Sequence, residues 1–361
     1  MSMHPSGLVA GSLVVLGVYW EAFETIVFPR RVSRRFRFTR VFYWATWLPW
    51  RAIGSRLRAG KRRESFLSVF GPISLLLLLG AWVVLQILAF ALLHWGAGSR
   101  LQAPPGMRPF VGDLLFSGAT LFTLGLGDLF PASNLERFFA ILEAATGLAF
   151  LAMVIGYLPT LSQAFSRREV NVTLLDARAG SPPSAGELLL RHVGVEGKES
   201  LARLLEQWDR WSADLLETHI SFPVLAYYRS QHDNQSWVAA LTTILDVCAL
   251  LIAGAEDGPV RSARLAFAMA RHAAVDLSRM FRLEPQRPGA DRLTAAELEH
   301  LREVLGAAGV ALRGGPDVDE RLRRLREMYE PYMNSLAEFL LMALPTWASV
   351  RGTQDNWRSM A

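Results

Sequence analysis

Long apolar runs dominate residues 1–165 and predict helices that cross a membrane. The run Phe66–Leu93 carries no formal charge and exceeds the roughly 20 apolar residues that a bilayer core requires. Two further runs, Leu8–Phe28 and Leu135–Leu161, are long enough to cross and contain few charges. The pattern therefore predicts three transmembrane helices in this part of the chain.

Amphipathic helical stripes dominate the rest of the chain. Leucines and tryptophans between Leu201 and Leu216 fall on one helix face, and similar stripes occupy Leu298–Leu305 and Leu322–Leu340. Ser184 and Thr294 each precede a glutamate by three residues, which is the signature of a capping box. Strand-like alternation is scarce, so we predict an all-α protein with a cytoplasmic helical bundle after the membrane helices.

The run Trp237–Ala253 is apolar enough to suggest a fourth span. It is short, however, and contains Asp246. A fourth span would also move the end of the chain outside, without a basic loop to support that orientation. We therefore favour a buried helix of the bundle and keep a fourth span as the alternative.

A basic, aromatic linker separates the first two predicted spans. Pro29–Ser65 is rich in arginine and has Glu64 as its only acid, so the positive-inside rule places it in the cytoplasm and Met1 outside. The aromatic residues of its Val41–Trp50 segment predict an interfacial helix that is broken at Pro49. Its first four arginines are expected to contact anionic lipid; they are Arg30, Arg31, Arg34 and Arg35.

Two carboxylates, Glu21 and Glu24, lie near the end of the first run. Because a carboxylate inside a span is costly, we expect them to lie at the interface or to pair with the following arginines. A role in an ion path is the alternative.

Composition narrows the class of protein further. The chain has 361 residues, 51% hydrophobic content and a net charge of +5. The arginines stand beside the apolar runs, so lipid and membrane orientation explain them better than nucleic acid does. One cysteine, Cys248, excludes intrachain disulfides and zinc-finger spacing. Met1–Gly7 has no Lys or Arg, and we predict no cleavable signal peptide.

Between the last two predicted spans, Thr120–Pro131 contains the sequence TLFTLGLGDLFP. Glycine at alternate positions permits positive φ, so that successive backbone carbonyls can point to one side. Rings of such carbonyls can replace the water around a cation. Thr123 can add a hydroxyl, and Asp128 places a carboxylate just beyond the second glycine. A simple glycine-rich turn is the alternative, but the register of these residue types favours a cation site.

This segment resembles the selectivity filter of bacterial potassium channels, which have two helices and a re-entrant pore loop. The resemblance implies passive potassium conduction across a plasma membrane rather than enzyme activity, with no cofactor beyond the permeant ion. Because one pore loop supplies a quarter of such a filter, it also implies a homotetramer. Our hypothesis is that the helical domain biases opening; the sequence identifies no regulatory ligand for it.

The resemblance assigns roles to individual residues. Thr123, Leu124, Gly125 and Leu126 would coordinate potassium, while Gly127 and Asp128 complete the filter and its outer mouth. Thr120 belongs to the pore helix, which Asp113 is expected to cap before Leu114. Inner-helix bends are expected at Gly147, or near Gly156 and Pro159, with close packing as the alternative for Gly147. Glu143 faces the cavity or pairs with another helix.

These assignments divide the chain into five segments. We predict an N-terminal transmembrane helix (1–28), the basic linker (29–65), a pore domain (66–165), a second linker (166–183) and a helical domain (184–361). The pore domain comprises an outer helix (66–94), a pore helix with the filter (113–128) and an inner helix (135–161). Ser133 and Glu136 predict a capping box at the start of the inner helix, and the basic residues Arg167 and Arg168 flank its cytoplasmic end.

The segment departs from the family pattern at two positions. Leu126 stands where tyrosine or phenylalanine is usual, and Phe122 stands where a second threonine is common. The backbone carbonyls are unaffected, but a tyrosine hydroxyl that would brace the filter is missing. Two alternatives therefore stay open: a weakly selective cation channel, and a membrane-anchored sensor or scaffold that does not conduct.

Overall fold

The computed structural model describes residues 3–27, 37–99, 101–104, 106–232, 234–287 and 289–348. Within them the chain forms α1 (Pro5–Ala22), α2 (Phe38–Arg56), α3 (Lys61–Ser68), α4 (Phe70–Gly96), α5 (Pro109–Leu121), α6 (Asn134–Ala179), α7 (Ala185–Leu190), α8 (Gly194–Ser221), α9 (Trp237–Gly254), α10 (Val260–Met280), α11 (Ala295–Ala307), α12 (Pro316–Glu327) and α13 (Glu330–Leu340). A π-helical turn covers Phe23–Val27, and a 3₁₀ turn covers Pro223–Tyr227. The described strands, β1 (Leu101–Gln102) and β2 (Phe130–Pro131), form one short antiparallel pair. The predicted all-α fold is confirmed.

The chain divides into two compact units. The membrane unit comprises residues 1–49 and 72–162, and the bundle unit comprises residues 50–71 and 163–361. Among the described residues, four helical segments are long and apolar enough to cross a membrane by length and composition: Pro5–Val27, Lys61–Gly96, Asn134–Ala179 and Trp237–Gly254. The protein is thus an all-α membrane protein.

In the membrane unit, small residues let α1 lie directly against α4. A Cβ added at Gly7 would lie 2.9 Å from the carbonyl oxygen of Leu92, and one added at Gly11 would lie 2.6 Å from that of Ala89. His4 stacks on Trp95 with ring centroids 4.4 Å apart. Glycine is what allows the two backbones to approach this closely.

Glu21 and Glu24 are buried in the membrane unit, where each has partners. Glu21 accepts hydrogen bonds from the backbone amide and hydroxyl of Thr39, at 2.9 and 2.7 Å. Glu24 accepts one from the Trp20 indole at 2.7 Å. Arg37 lies 3.8 Å from Glu21 and 3.9 Å from Glu24. Both carboxylates therefore pair with an arginine that follows the first span, and that arginine is Arg37.

The predicted lipid-binding arginines lie outside the described residues; they are Arg30, Arg31, Arg34 and Arg35.

Three predicted helix boundaries are wrong. α2 is not broken at Pro49, because Pro49 lies on its exposed face and the missing N–H leaves the packed face intact. Asp113 does not cap the pore helix, since α5 already begins at Pro109 and Asp113 is buried within its first turns. The inner helix does not end near residue 161, because α6 continues through Pro159 to Ala179.

The bundle unit is organised around α9. Its residues are buried on every face, which is typical of the central helix of a protein core. α8 and α10 present their apolar stripes to the interior. The predicted caps form: Ser184 accepts from the Glu187 amide, and Thr294 and Glu297 form a reciprocal capping box. The structure thus agrees with the interpretation of Trp237–Ala253 as a buried helix.

The stripe Leu322–Leu340 does not form one helix. It divides into α12 and α13, and Pro331 stands in the first turn of α13. Proline lacks the N–H that a continuous helix would need there, which accounts for the break.

Asp246, the charge in the middle of α9, is paired inside the bundle. Its carboxylate accepts hydrogen bonds from Arg292, at 2.6 and 3.4 Å, and from the Tyr329 hydroxyl. Arg292 also donates to Glu330 at 3.0 Å and to the Pro345 carbonyl at 3.0 Å. Burial opposes the charge of Arg292, but the neighbouring carboxylates outweigh it and raise the pKa of the guanidinium, so its charge is permanent. An aspartate is tolerated in this apolar helix because it is fully paired.

Candidate functional site

α5 leads directly into the glycine-containing loop. The helix begins at Pro109, where proline is favoured because the first N–H groups have no partner within the helix. At its end, the Thr123 amide donates to the Thr120 carbonyl at 3.0 Å, and the Leu124 amide donates to the Ala119 carbonyl at 2.8 Å. β2 pairs with β1 beyond the loop. The loop is therefore held at both of its ends.

The backbone of the loop alternates between two conformations. φ is +54° at Thr123, +59° at Gly125 and +82° at Gly127, but is not positive at Leu124 or Leu126. Both glycines thus adopt the conformation that their spacing predicts. Threonine rarely has positive φ, because its branched side chain is strained there. A backbone whose φ alternates in sign in this way can turn successive carbonyls to one side.

The loop side chains are uncovered in the single chain. Leu124 and Leu126 are 63% and 68% exposed, although both are large and apolar. Thr123, Gly125, Gly127 and Asp128 are also exposed, whereas Thr120 is half-buried. A run of exposed apolar residues indicates a surface that another molecule covers.

Gly147 allows α6 to approach the end of α5. A Cβ at this position would lie well inside the van der Waals distance of the Leu121 carbonyl oxygen. Close packing therefore explains Gly147, and α6 shows no interruption there. Gly156 has no neighbouring atom within 4 Å of the position of a Cβ, and Pro159 lies within the continuous helix.

We expect Gly147→Ala to destabilise the protein by roughly 1–3 kcal/mol, because the added methyl group must displace the Leu121 backbone. Gly156→Ala is the matched control. It adds the same methyl group to the same helix in open space and should be neutral or slightly stabilising. Thermal unfolding of both variants in detergent measures the difference. Equal unfolding temperatures would refute the packing role of Gly147.

Glu143 lies inside the membrane unit and pairs with other helices. It is fully buried and accepts a hydrogen bond from the Ser117 hydroxyl of α5. His94 of α4 is also buried, and its Nε2 atom lies 3.6 Å from Glu143 Oε2. Of the two alternatives for Glu143, the structure supports pairing.

Sequence patterns did not single out Ser117, His94 or Tyr19. The Tyr19 hydroxyl oxygen lies 2.7 Å from the Thr146 carbonyl oxygen and 3.1 Å from Gln86 Oε1, which joins α1 to α6 and α4. Polar residues in apolar spans are the signal that could have drawn attention to all three. Their partners are distant in sequence, and no local pattern identifies them.

In the described part of the chain, no group of three or more His, Cys, Asp or Glu side chains could hold a metal ion.

Comparison with known proteins is consistent with this geometry. Residues 74–163 match the family model described as "Ion channel", and this range contains most of α4, all of α5, the loop and much of α6. The chain is also 27% identical over 184 residues to "Uncharacterized membrane protein YdjJ" of Bacillus subtilis (strain 168). The match covers 49% of this chain and 52% of that protein, so it spans about half the length of the relative. No solved structure matches the chain significantly. The comparisons support a membrane protein with an ion channel domain at residues 74–163.

Proposed function

We propose that the protein is a channel that passes potassium ions through a filter formed by the Thr123–Asp128 loops of four copies. The observation that carries the proposal is the alternation of positive φ at Thr123, Gly125 and Gly127. In this conformation, carbonyls of consecutive residues can line a shared axis and replace the water around a cation. Asp128 would attract cations at the outer mouth.

The exposed surfaces of the single chain support an assembly of several copies. In the most apolar stretch of 18 residues in α6, only 11% of the residues are buried within the single chain. Exposed side chains follow one another along this helix; they are Phe138, Ile141, Leu148, Leu151 and Ile155. Lipid would cover part of this surface, and the α6 helices of neighbouring copies would cover the rest.

The leucine at position 126 favours a second candidate function, that of a weakly selective cation channel. Its side chain offers no hydrogen-bond donor to brace the loop. A groove beside the loop is lined by Leu126 together with Phe116, Ala119, Thr120 and Ala144. The groove leaves space that an aromatic side chain at position 126 could occupy.

We expect the wild-type protein to prefer potassium to sodium, and Leu126→Tyr to increase the preference about tenfold, equivalent to about 1.4 kcal/mol. The larger side chain would fill the groove and bring a hydroxyl to its wall. Reversal potentials of the reconstituted protein in mixed potassium and sodium solutions measure the preference. If the wild-type reversal potential does not change when sodium replaces potassium on one side, the weakly selective channel is favoured.

Ion flux from liposomes that contain the full-length protein tests conduction itself. Flux along a potassium gradient supports a channel. The sensor or scaffold is favoured if neither potassium nor sodium flows, both through the full-length protein and through a chain that ends near Arg168.

We propose further that the bundle unit biases opening. Tyr228 and the preceding 3₁₀ turn contact the first residues of α4 and the last third of α6, just outside the two ends of the segment 74–163 that matches the family. The Tyr228 ring covers Gly71, where an added Cβ would lie 2.5 Å from it, and it packs against Phe165 at 5.5 Å. The Arg168 guanidinium donates to the carbonyls of Leu225 and Tyr228, at 2.8 and 2.9 Å. A movement of this turn would act on both helices at once.

The charge distribution supports a cytoplasmic bundle and an external N-terminus. Location in the plasma membrane follows from the resemblance to bacterial potassium channels and is part of this proposal. Anionic lipid at the four arginines of residues 30–35 belongs to the same proposal.

A further inference from the structure

Three buried polar side chains meet in the membrane unit, each from a different helix. The Ser117 hydroxyl of α5 donates to the Glu143 carboxylate of α6, and Ser117 Oγ also lies 2.9 Å from the Ile87 carbonyl oxygen of α4. His94 of α4 stands 3.6 Å from Glu143 and packs edge-to-face on Phe116, with centroids 5.1 Å apart. We call Ser117, Glu143 and His94 the Glu143 cluster. It joins α5 to both long helices around it.

The position of the cluster along α5 connects it to the loop. Ser117 stands one helical turn before Leu121, the last residue of α5. Glu143 stands one turn before Gly147, which lies against the Leu121 carbonyl. α5 and α6 therefore meet at two successive levels, by a hydrogen bond and then by close backbone packing. Two contacts one turn apart fix both the height and the rotation of the helix end from which the loop begins.

The loop itself has little other support within the single chain. Among the described residues, its hydrogen bonds lie at Thr123 and Leu124 on one side and at the β2 pairing on the other. Leu126 cannot add a bond from its side chain. The spacing of the carbonyls then depends on how firmly the end of α5 is held.

Stability alone does not account for a carboxyl group at position 143. Burial of a polar group between apolar helices is costly, and an apolar side chain of similar size often stabilises a core at least as well. What the carboxyl group supplies is a directional bond that only one arrangement of the helices satisfies.

We propose that the Glu143 cluster is a positioning group that sets the selectivity of the filter by holding the end of α5. The inference rests on the proposed function, since it assigns a role in potassium selectivity. Ser117, Glu143 and His94 do not touch the permeant ion in this role; they act through Leu121 and the loop.

The test compares four variants of the full-length protein with the wild type, by reversal potentials in mixed potassium and sodium and by calorimetric potassium binding in detergent. Ser117→Ala and Glu143→Leu remove the hydrogen bond. Glu143→Gln keeps an oxygen acceptor for Ser117. Gln86→Met is the matched control, because Gln86 is equally buried in the same unit but bonds to Tyr19 of α1 instead of α5.

We expect Ser117→Ala and Glu143→Leu to lower the potassium-to-sodium permeability ratio about tenfold, or about 1.4 kcal/mol of discrimination. Glu143→Gln should retain most of the ratio, and Gln86→Met all of it. If a selective wild type keeps its ratio in Ser117→Ala and Glu143→Leu, the positioning role is refuted while the channel stands. If Gln86→Met lowers the ratio equally, the effect is general loosening of the core and the role is also refuted. A wild type without preference for potassium refutes the proposed selectivity and this role together.

Discussion

Gly125→Ala is expected to abolish potassium flux. Gly125 has φ of +59°, a region that costs an L-residue roughly 1–2 kcal/mol. In a four-fold assembly, all four copies bear this cost at the same level of the filter, roughly 4–8 kcal/mol in total. The loop would relieve the strain by rotating the peptide, which turns a carbonyl away from the axis. Liposome flux under a potassium gradient measures the loss.

Gly118→Ala provides the matched control for this experiment. Gly118 lies in α5, seven residues before Gly125, and no atom lies within 4 Å of the position of an added Cβ. Alanine is favoured over glycine inside a helix by about 1 kcal/mol, so this variant should conduct normally. Full potassium flux through Gly125→Ala would contradict the proposed filter and support the sensor or scaffold.

Arg168→Met is expected to destabilise the bundle unit by about 3–5 kcal/mol, the usual cost of removing one partner from a buried, charged network. The Arg168 side chain is 1% exposed and bonds to Glu169 at 2.9 Å as well as to the carbonyls of Leu225 and Tyr228. Its loss removes the Arg168 donor from the Tyr228 carbonyl and from the Glu169 carboxylate, whereas the Leu225 carbonyl keeps the bond from the Tyr228 amide at 3.0 Å. Burial, and after it the nearby Arg168 guanidinium, lower the pKa of His219 to about 3, so in the wild type Arg168 carries the positive charge of this pair and the ring is neutral.

Arg167→Met, the adjacent residue, serves as the control. The Arg167 side chain is 60% exposed and lies 3.7 Å from Asp214. Exposed pairs of this kind contribute less than about 1 kcal/mol. Tryptophan fluorescence during thermal unfolding suits the comparison, because the Trp211 indole donates to the Arg168 carbonyl. Matching unfolding curves for the two variants would show that Arg168 does not anchor the 3₁₀ turn. If the turn also biases opening, macroscopic currents should change in Arg168→Met and not in Arg167→Met.

Local signals in the sequence predicted local features of the structure. Alternating glycines predicted positive φ because only glycine adopts it readily, and both glycines have it. Capping boxes predicted the starts of α7 and α11 because the side chain and the amide that it caps are three residues apart. The apolar runs predicted helices long enough to cross a membrane, and such helices are present.

Contacts between distant residues could not be predicted in the same way. Arg167 and Arg168 are identical in type and adjacent, and both suggested basic residues flanking a span. In the structure their surroundings differ: Arg168 is buried against the 3₁₀ turn, whereas Arg167 is exposed, because adjacent residues of α6 face different directions. Glu143 was recognised as unusual, but its partners Ser117 and His94 become neighbours only when three helices pack together.

The packing of α1 against α4 has a consequence for how the chain is inserted. The His4 amide donates to the Gly96 carbonyl at 2.9 Å, so the start of the first helix and the finish of the fourth lie side by side. Two antiparallel helices with matched ends cannot have those ends on opposite faces of a bilayer. An impermeant reagent that reaches the residues around Met3 must therefore also reach the segment that follows Gly96. The single native thiol, Cys248, is buried and would leave such labelling free of background. One accessibility measurement at either end thus determines the orientation of both helices.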